Sequence, residues 1–131
     1  MAQDEVAATP HGNAHFLVDV GGGDARAPDA GFCEVVFPPF TADAPRRLIL
    51  RRGVTGALDL YAWWDEARRD ERTRPRAITV QLMTPDLSRV VMTWIFRGAR
   101  PVALSYGPLN ALQGTVLIES LEVEFDTFEM R

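Results

Sequence analysis

The sequence contains no lysine. All 14 of its basic residues are arginine, whose planar fork suits interfaces better than a lysine ammonium does. It has one cysteine, Cys33, so no disulfide can close within the chain and nothing calls for an oxidising compartment. Histidine is nearly absent as well. His11 and His15, with Cys33, offer too few donors of defined geometry for a metal site. No apolar run approaches the ~20 residues of a membrane helix, so no membrane span is expected. The N-terminal stretch MAQDEVAATPHGNAH has neither a basic start nor an apolar core. No signal peptide is therefore expected, and synthesis in the cytoplasm is the default. An excess of positive charge is missing too: the net charge is −4, which disfavours a nucleic-acid partner.

The 131 residues that are present suit a single domain. Hydrophobic residues make up 47% and charged residues 24%, enough apolar surface for a real core. Residues 1–15 are small and polar, with Pro10 and Gly12, and are expected to form a flexible arm. Residues 16–131 are expected to form one β domain.

Period-two alternation dominates that domain. HFLVDV (15–20) reads as a short strand, ended by Gly21-Gly22-Gly23-Asp24. GFCEVVF (31–37) reads as a second, stopped by Pro38-Pro39. In RRLILRR (46–52), Leu48 and Leu50 share one face and Arg47, Ile49 and Arg51 the other. The one convincing helix covers about 57–69, ALDLYAWWDEARR. Leu60, Trp63, Trp64 and Ala67 form its apolar stripe, and Thr55 is its expected N-cap. Asp59 in the first turn and Arg68 and Arg69 in the last suit the helix dipole. Further strands are read at 77–83, 89–97 and 101–106, with a long last strand at 115–128. The expected fold is therefore mainly β: a two-sheet sandwich or partly closed barrel of about seven strands with one flanking helix.

Catalytic chemistry is hard to find in this pattern. The triple glycine has no following Gly-Lys-Ser/Thr and no helix of the required kind, so it reads as a turn. Cys33 could pair with a histidine as nucleophile and base, but within a strand it reads as a small core or sheet-face residue. Trp63 and Trp64 point about 100° apart, so one belongs to the core and the other could anchor a partner. Glu119, Glu122, Glu124 and Asp126 are better read as a wet sheet face than as paired catalytic acids. No catalytic residue, cofactor or metal is expected.

Like charges in such a row repel, so it needs basic neighbours. Arg46, Arg47, Arg51 and Arg52 supply them. Whether the two rows meet within one subunit or across two is open at this point. Arg47, Arg51, Arg52, Glu122, Glu124 and Asp126 are the candidate subunit-interface or lumen-lining residues.

An ordered series of segments resembles the tail tube proteins of contractile bacteriophages, a family that also supplies the inner tubes of phage-like injection systems. The segments are FLVDV, AGFCEVVF, LILRRGVTGALDLYAWW, ITVQLM, VVMTWIFRGARPVALSYGPLNA and VLIESLEVEFDTF. They cover about residues 16–128. The resemblance implies a structural role. Six subunits would close a ring whose strands form a continuous inner barrel, and rings would meet other tube, baseplate and sheath proteins inside a phage tail or injection particle. The same fold is shared with the type VI secretion tube protein. Typical members carry a long excursion between the second and third strands that reaches neighbouring subunits. Here residues 38–45 alone fill that place. The expectation is a specialised ring, either the tube initiator at the baseplate or a minor tube component. The alternative is a monomeric β-barrel binding module with a concave apolar pocket for a small ligand or peptide.

Overall fold

The computed structural model describes residues 11–12, 15–21, 31–43 and 46–131. The expected arm at 1–15 falls mostly outside the described residues, as do most of the glycine turn and Ala44-Pro45. The elements run β1 (Phe16–Asp19), β2 (Phe32–Val36), β3 (Arg47–Gly53), α1 (Asp59–Arg69), β4 (Arg76–Met83), β5 (Val90–Tyr106), β6 (Ile118–Glu124) and β7 (Thr127–Met130). The seven strands make one antiparallel sheet in the order β1-β4-β5-β6-β3-β2, with β7 also on β5. Among the described residues the sheet does not close into a barrel.

Two strand assignments differ from the sequence reading. Residues 89–97 and 101–106 belong to one 17-residue strand, and the long last strand is divided into β6 and β7. The physical reason lies at the same place in both. Gly98 adopts φ 70, a left-handed conformation that only glycine takes without strain. A side chain there would also collide with the Asp126 carboxylate. β5 therefore bends without losing its partner, since the Asp126 amide donates to the Arg97 carbonyl at 2.9 Å. Pairing runs from Trp94↔Met130 through Arg100↔Glu124 to Tyr106↔Glu119, with one bulge after Pro101. Pro101 is tolerated because, among the described residues, the second half of β5 pairs only along one edge.

The bend divides the sheet into two halves that share β5. β1, β4, β7 and the first part of β5 form one; β2, β3, β6 and the last part of β5 form the other. Each half turns one face inward. Val18, Ile78, Val80 and Phe96 come from the first half and Leu48, Leu50, Leu121 and Val123 from the second. Leu60 and Trp63 of α1 complete the cluster. Burying a side chain such as Leu or Phe contributes about 1.5–3 kcal/mol each, so this cluster holds the halves together.

α1 begins at Asp59, not Ala57. Its N-cap is Leu58, and no side chain caps the first turn, so Thr55 does not take that role. A different device ties this end down. Asp59 is held by Arg52 of β3. At the other end Asp65 pairs with Arg68 and Arg69 one turn on, at 2.6 and 3.2 Å.

Candidate assembly surfaces

The outward face of the second half carries a row of charges. On β3, Arg47 and Arg51 point outward with Ile49 between them, while Leu48 and Leu50 point in. β3 lies directly beside β6, in the register Arg47↔Glu124, Ile49↔Glu122 and Arg51↔Ser120. The basic and acidic rows thus meet within one chain. Arg47 reaches Glu122 at 3.5 Å, and Arg51 bonds Ser120 at 3.2 Å and Glu34 of β2. These pairs are about half exposed and contribute little to stability, of order 0–1 kcal/mol each. Glu124, at the edge of the row, makes no ion pair with a described residue.

Arg52 belongs to a different environment. It is 3% exposed, so it is no surface residue of the subunit, and it departs from the candidate surface set. The reason is strand parity: Arg52 follows Leu48 and Leu50 at intervals of two and points into the core. Its Nε donates to Glu119, which is 4% exposed, and its other guanidinium nitrogens hold the Asp59 carboxylate. The Tyr106 hydroxyl donates to the second Glu119 oxygen at 3.0 Å. Burial works against the Arg52 charge, but the hydrogen bonds to Asp59 and Glu119 outweigh it and raise its pKa. Those same bonds lower the Asp59 pKa, while burial and Glu119 raise that of Tyr106. Arg52 also lies 5.4 Å from the Phe32 ring centre. This network locks β3, β5, β6 and the start of α1 to one another.

Asp126 lies at the bend. Its carboxylate covers Gly98 and its carbonyl accepts from Arg46. Trp63 is buried beneath the Arg76 guanidinium, 4.5 Å away, and Trp64 is half-buried beneath Arg68 at 5.1 Å. Cys33 is exposed: it is the extra residue of a bulge between Phe32 and Glu34, so the core alternative for it does not hold. Among the described residues no group of three or more His, Cys, Asp or Glu side chains could hold a metal ion. Among the described residues no helix is long and apolar enough to cross a membrane. A cavity of about 460 Å³ lies between α1 and the start of β4. Arg74, Arg76 and Glu66 line it, so it is unlike the apolar pocket of a small-ligand module.

The short segment after β2 lies against its own sheet, with Phe37 partly buried and Phe40 still 39% exposed. The Phe37 ring lies 4.9 Å from Trp94 and 6.1 Å from Phe96. Phe40 stacks on Phe128 at 4.2 Å. Both rings of residues 37–40 thus contact their own subunit, over the first half of the sheet.

Comparison with known proteins gives a consistent picture. A family model described as T4-like virus tail tube protein gp19 matches residues 39–129. None of the curated proteins matches. Among solved structures, a chain of the sheath–tube complex of the extracellular contractile injection system PVC, in its extended state, has a TM-score of 0.83 at 18% identity. That alignment covers 100% of this chain and 98% of the other. A chain of the six-fold symmetrised anti-feeding prophage baseplate has a TM-score of 0.71 at 26% identity, covering 95% and 97%. Hcp1 from Flavobacterium johnsoniae has a TM-score of 0.62 at 15% identity, covering 88% and 93%.

Proposed function

The chain belongs to the T4-like virus tail tube protein family, and from that premise we propose that it is a ring-forming subunit in the inner tube of a contractile particle, serving as an initiating or minor ring. The family is one of structural tube proteins, not enzymes. The observation that carries the finer reading is the segment 37–40. Where an excursion would reach neighbouring subunits, Phe37 and Phe40 pack on Trp94, Phe96 and Phe128 of their own chain. A subunit without that reach has lost one means of joining ring to ring. The 26% identity with a chain of the anti-feeding prophage baseplate supports the same role.

The second half-sheet provides a way to close a ring. Its strand order is β2-β3-β6-β5, so β2 and the last part of β5 are its two free edges among the described residues. The edges differ, as a heterologous joint requires. Four antiparallel strands leave β2 and β5 running in opposite senses. The β2 edge of one copy can therefore pair with the β5 edge of the next, and alternation continues across the joint. An exposed edge, a liability in a monomer, becomes a joint in a ring. The face bearing Arg47, Arg51, Glu122 and Glu124 would then line the lumen, a wet and nearly charge-balanced wall.

A bulk-tube role is the second reading, favoured by the near-complete mutual coverage with the sheath–tube chain. Electron microscopy of the purified protein separates the two. An initiating or minor ring gives isolated six-fold rings. Long homopolymeric tubes would establish the bulk role instead, and particles without rings would overturn both.

A further inference from the structure

Arginine side chains in this protein are nearly all held. Among the described residues every guanidinium but those of Arg74, Arg76 and Arg89 bonds a carboxylate or a carbonyl. Arg74 and Arg76 line one cavity, the space of about 460 Å³ between the end of α1 and the start of β4. Trp63, Glu66, Pro75 and Ala77 form the rest of its wall, with Thr73 and Gly21.

Arg76 is the unusual member. It is partly buried, and its guanidinium lies 4.5 Å from the Trp63 ring centre. A ring contact attracts the cation but does not accept its N–H groups as a carboxylate does. Burial lowers the Arg76 pKa, and the charges of Glu66 and Asp59 offset this only in part. Glu66 attracts Arg76 from the cavity wall without forming an ion pair with it. A desolvated cation with free donors is costly unless an anion reaches it.

The wall that carries these groups is fixed in place. The Thr73 amide donates to the Asp70 carbonyl at 3.0 Å, and the Thr73 hydroxyl to the Glu66 carbonyl at 3.1 Å. Arg100 of β5 donates to the Thr73 carbonyl at 2.8 Å. The segment leading to Arg74 and Arg76 is thus tied to both α1 and the sheet, which lowers the ordering cost of binding. Two guanidinium charges and one carboxylate leave the cavity with a single net positive charge. That balance suits a monoanion better than a dianion such as phosphate. The planar guanidinium fork matches a carboxylate.

We propose that this cavity binds a single carboxylate group, gripped by Arg76 and Arg74 over the Trp63 ring. Its source is an acidic side chain of another polypeptide packed against the subunit, since the exposed Pro75 and Ala77 beside the two arginines offer apolar contact to the chain that carries it. The site belongs to the single subunit and does not depend on ring formation.

The test is an NMR titration of the full-length chain, following the Nε–H resonances of Arg76 and Arg74. The probes are N-acetylglutamate α-amide, its glutamine counterpart, acetate and inorganic phosphate. The glutamate probe is expected to give a saturable shift at both arginines, and the glutamine probe none. Tighter binding of the glutamate probe than of acetate assigns an acidic side chain as the source. Equal binding keeps the carboxylate site but assigns a free carboxylate. Arg76→Gln is expected to weaken binding at least about tenfold, through loss of a charge-assisted hydrogen bond. Arg74→Gln, at an exposed position, should weaken it about threefold. Glu66→Gln should tighten it about threefold by removing a like charge. The last two variants should melt as the wild type does, so they decide the matter even if Arg76→Gln loosens the packing on Trp63. A shift that stays linear with concentration, equal binding of the glutamine probe, tighter binding of phosphate, or weaker binding after Glu66→Gln would each overturn the proposal.

Discussion

Arg51 and Arg52 are neighbours in sequence and opposites in structure. Arg51 lies on the outward face and shares Glu34 and Ser120 with water. Arg52 lies on the inward face, sealed against Glu119, Asp59 and the Phe32 ring. Both are ion-paired, yet the physics differs. An exposed pair is screened and adds little. A buried pair is costly to make and costlier to break, because removing one partner strands the other charge in the core. The comparison separates charge displayed on the surface from charge that holds the subunit together.

The strongest way to break the comparison is Arg52→Ala. It leaves Glu119 buried beneath Tyr106 and should cost about 3–5 kcal/mol, read by urea denaturation. Little change there would mean that water reaches the network. Next comes Gly98→Ala, which forces a side chain into φ 70 against Asp126. A loss of at least ~1–3 kcal/mol is expected by the same assay. Tyr106→Phe removes only the hydroxyl that bonds Glu119 and should cost about 1 kcal/mol. Arg47→Glu with Arg51→Glu should change stability by no more than about 1 kcal/mol while weakening ring formation. Native mass unchanged by that double reversal would remove the outward row from the assembly account.

Acid sharpens the same contrast. Asp59 has a lowered pKa, chiefly because Arg52 donates hydrogen bonds to it. A depressed carboxylate stabilises the fold above its unfolded value near 3.9 and loses that contribution as pH falls through its folded value. The β3–α1 tie should therefore loosen below about pH 4. Asp86, in the β4–β5 turn, is lowered to about 2 by Thr84 and Ser88. Its turn should hold until pH approaches 2, where the Ser88 amide, bonded to Asp86 at 3.0 Å, is expected to lose protection, its exchange being compared with the intrinsic rate at the same pH. An equal protection factor at pH 5 and pH 2 would refute that assignment.

Much of the fold was legible because period-two alternation is a direct consequence of strand geometry. Leu48 and Leu50, with Leu121 and Val123, announce the inward face of the second half. The helix was legible from Leu60 and Trp63, though not its start, because the tie at Asp59 comes from another strand. The single long β5 was not legible. Gly98 and Pro101 look like breaks along one chain, and only the partner strand reveals that pairing continues past them. The buried charges misled differently. Arg52 and Glu119 carry the parity of Leu50 and Leu121, so the signal was present, but charge outweighed parity in the reading. That the basic and acidic rows meet within one chain depends on β3 lying beside β6, a long-range pairing that no local pattern encodes.

The most direct test of the central claim is the native mass of the purified full-length chain near neutral pH. A ring-forming tube subunit is expected to give six subunits per layer, as whole-number layers. A population of single subunits at micromolar concentration would contradict it.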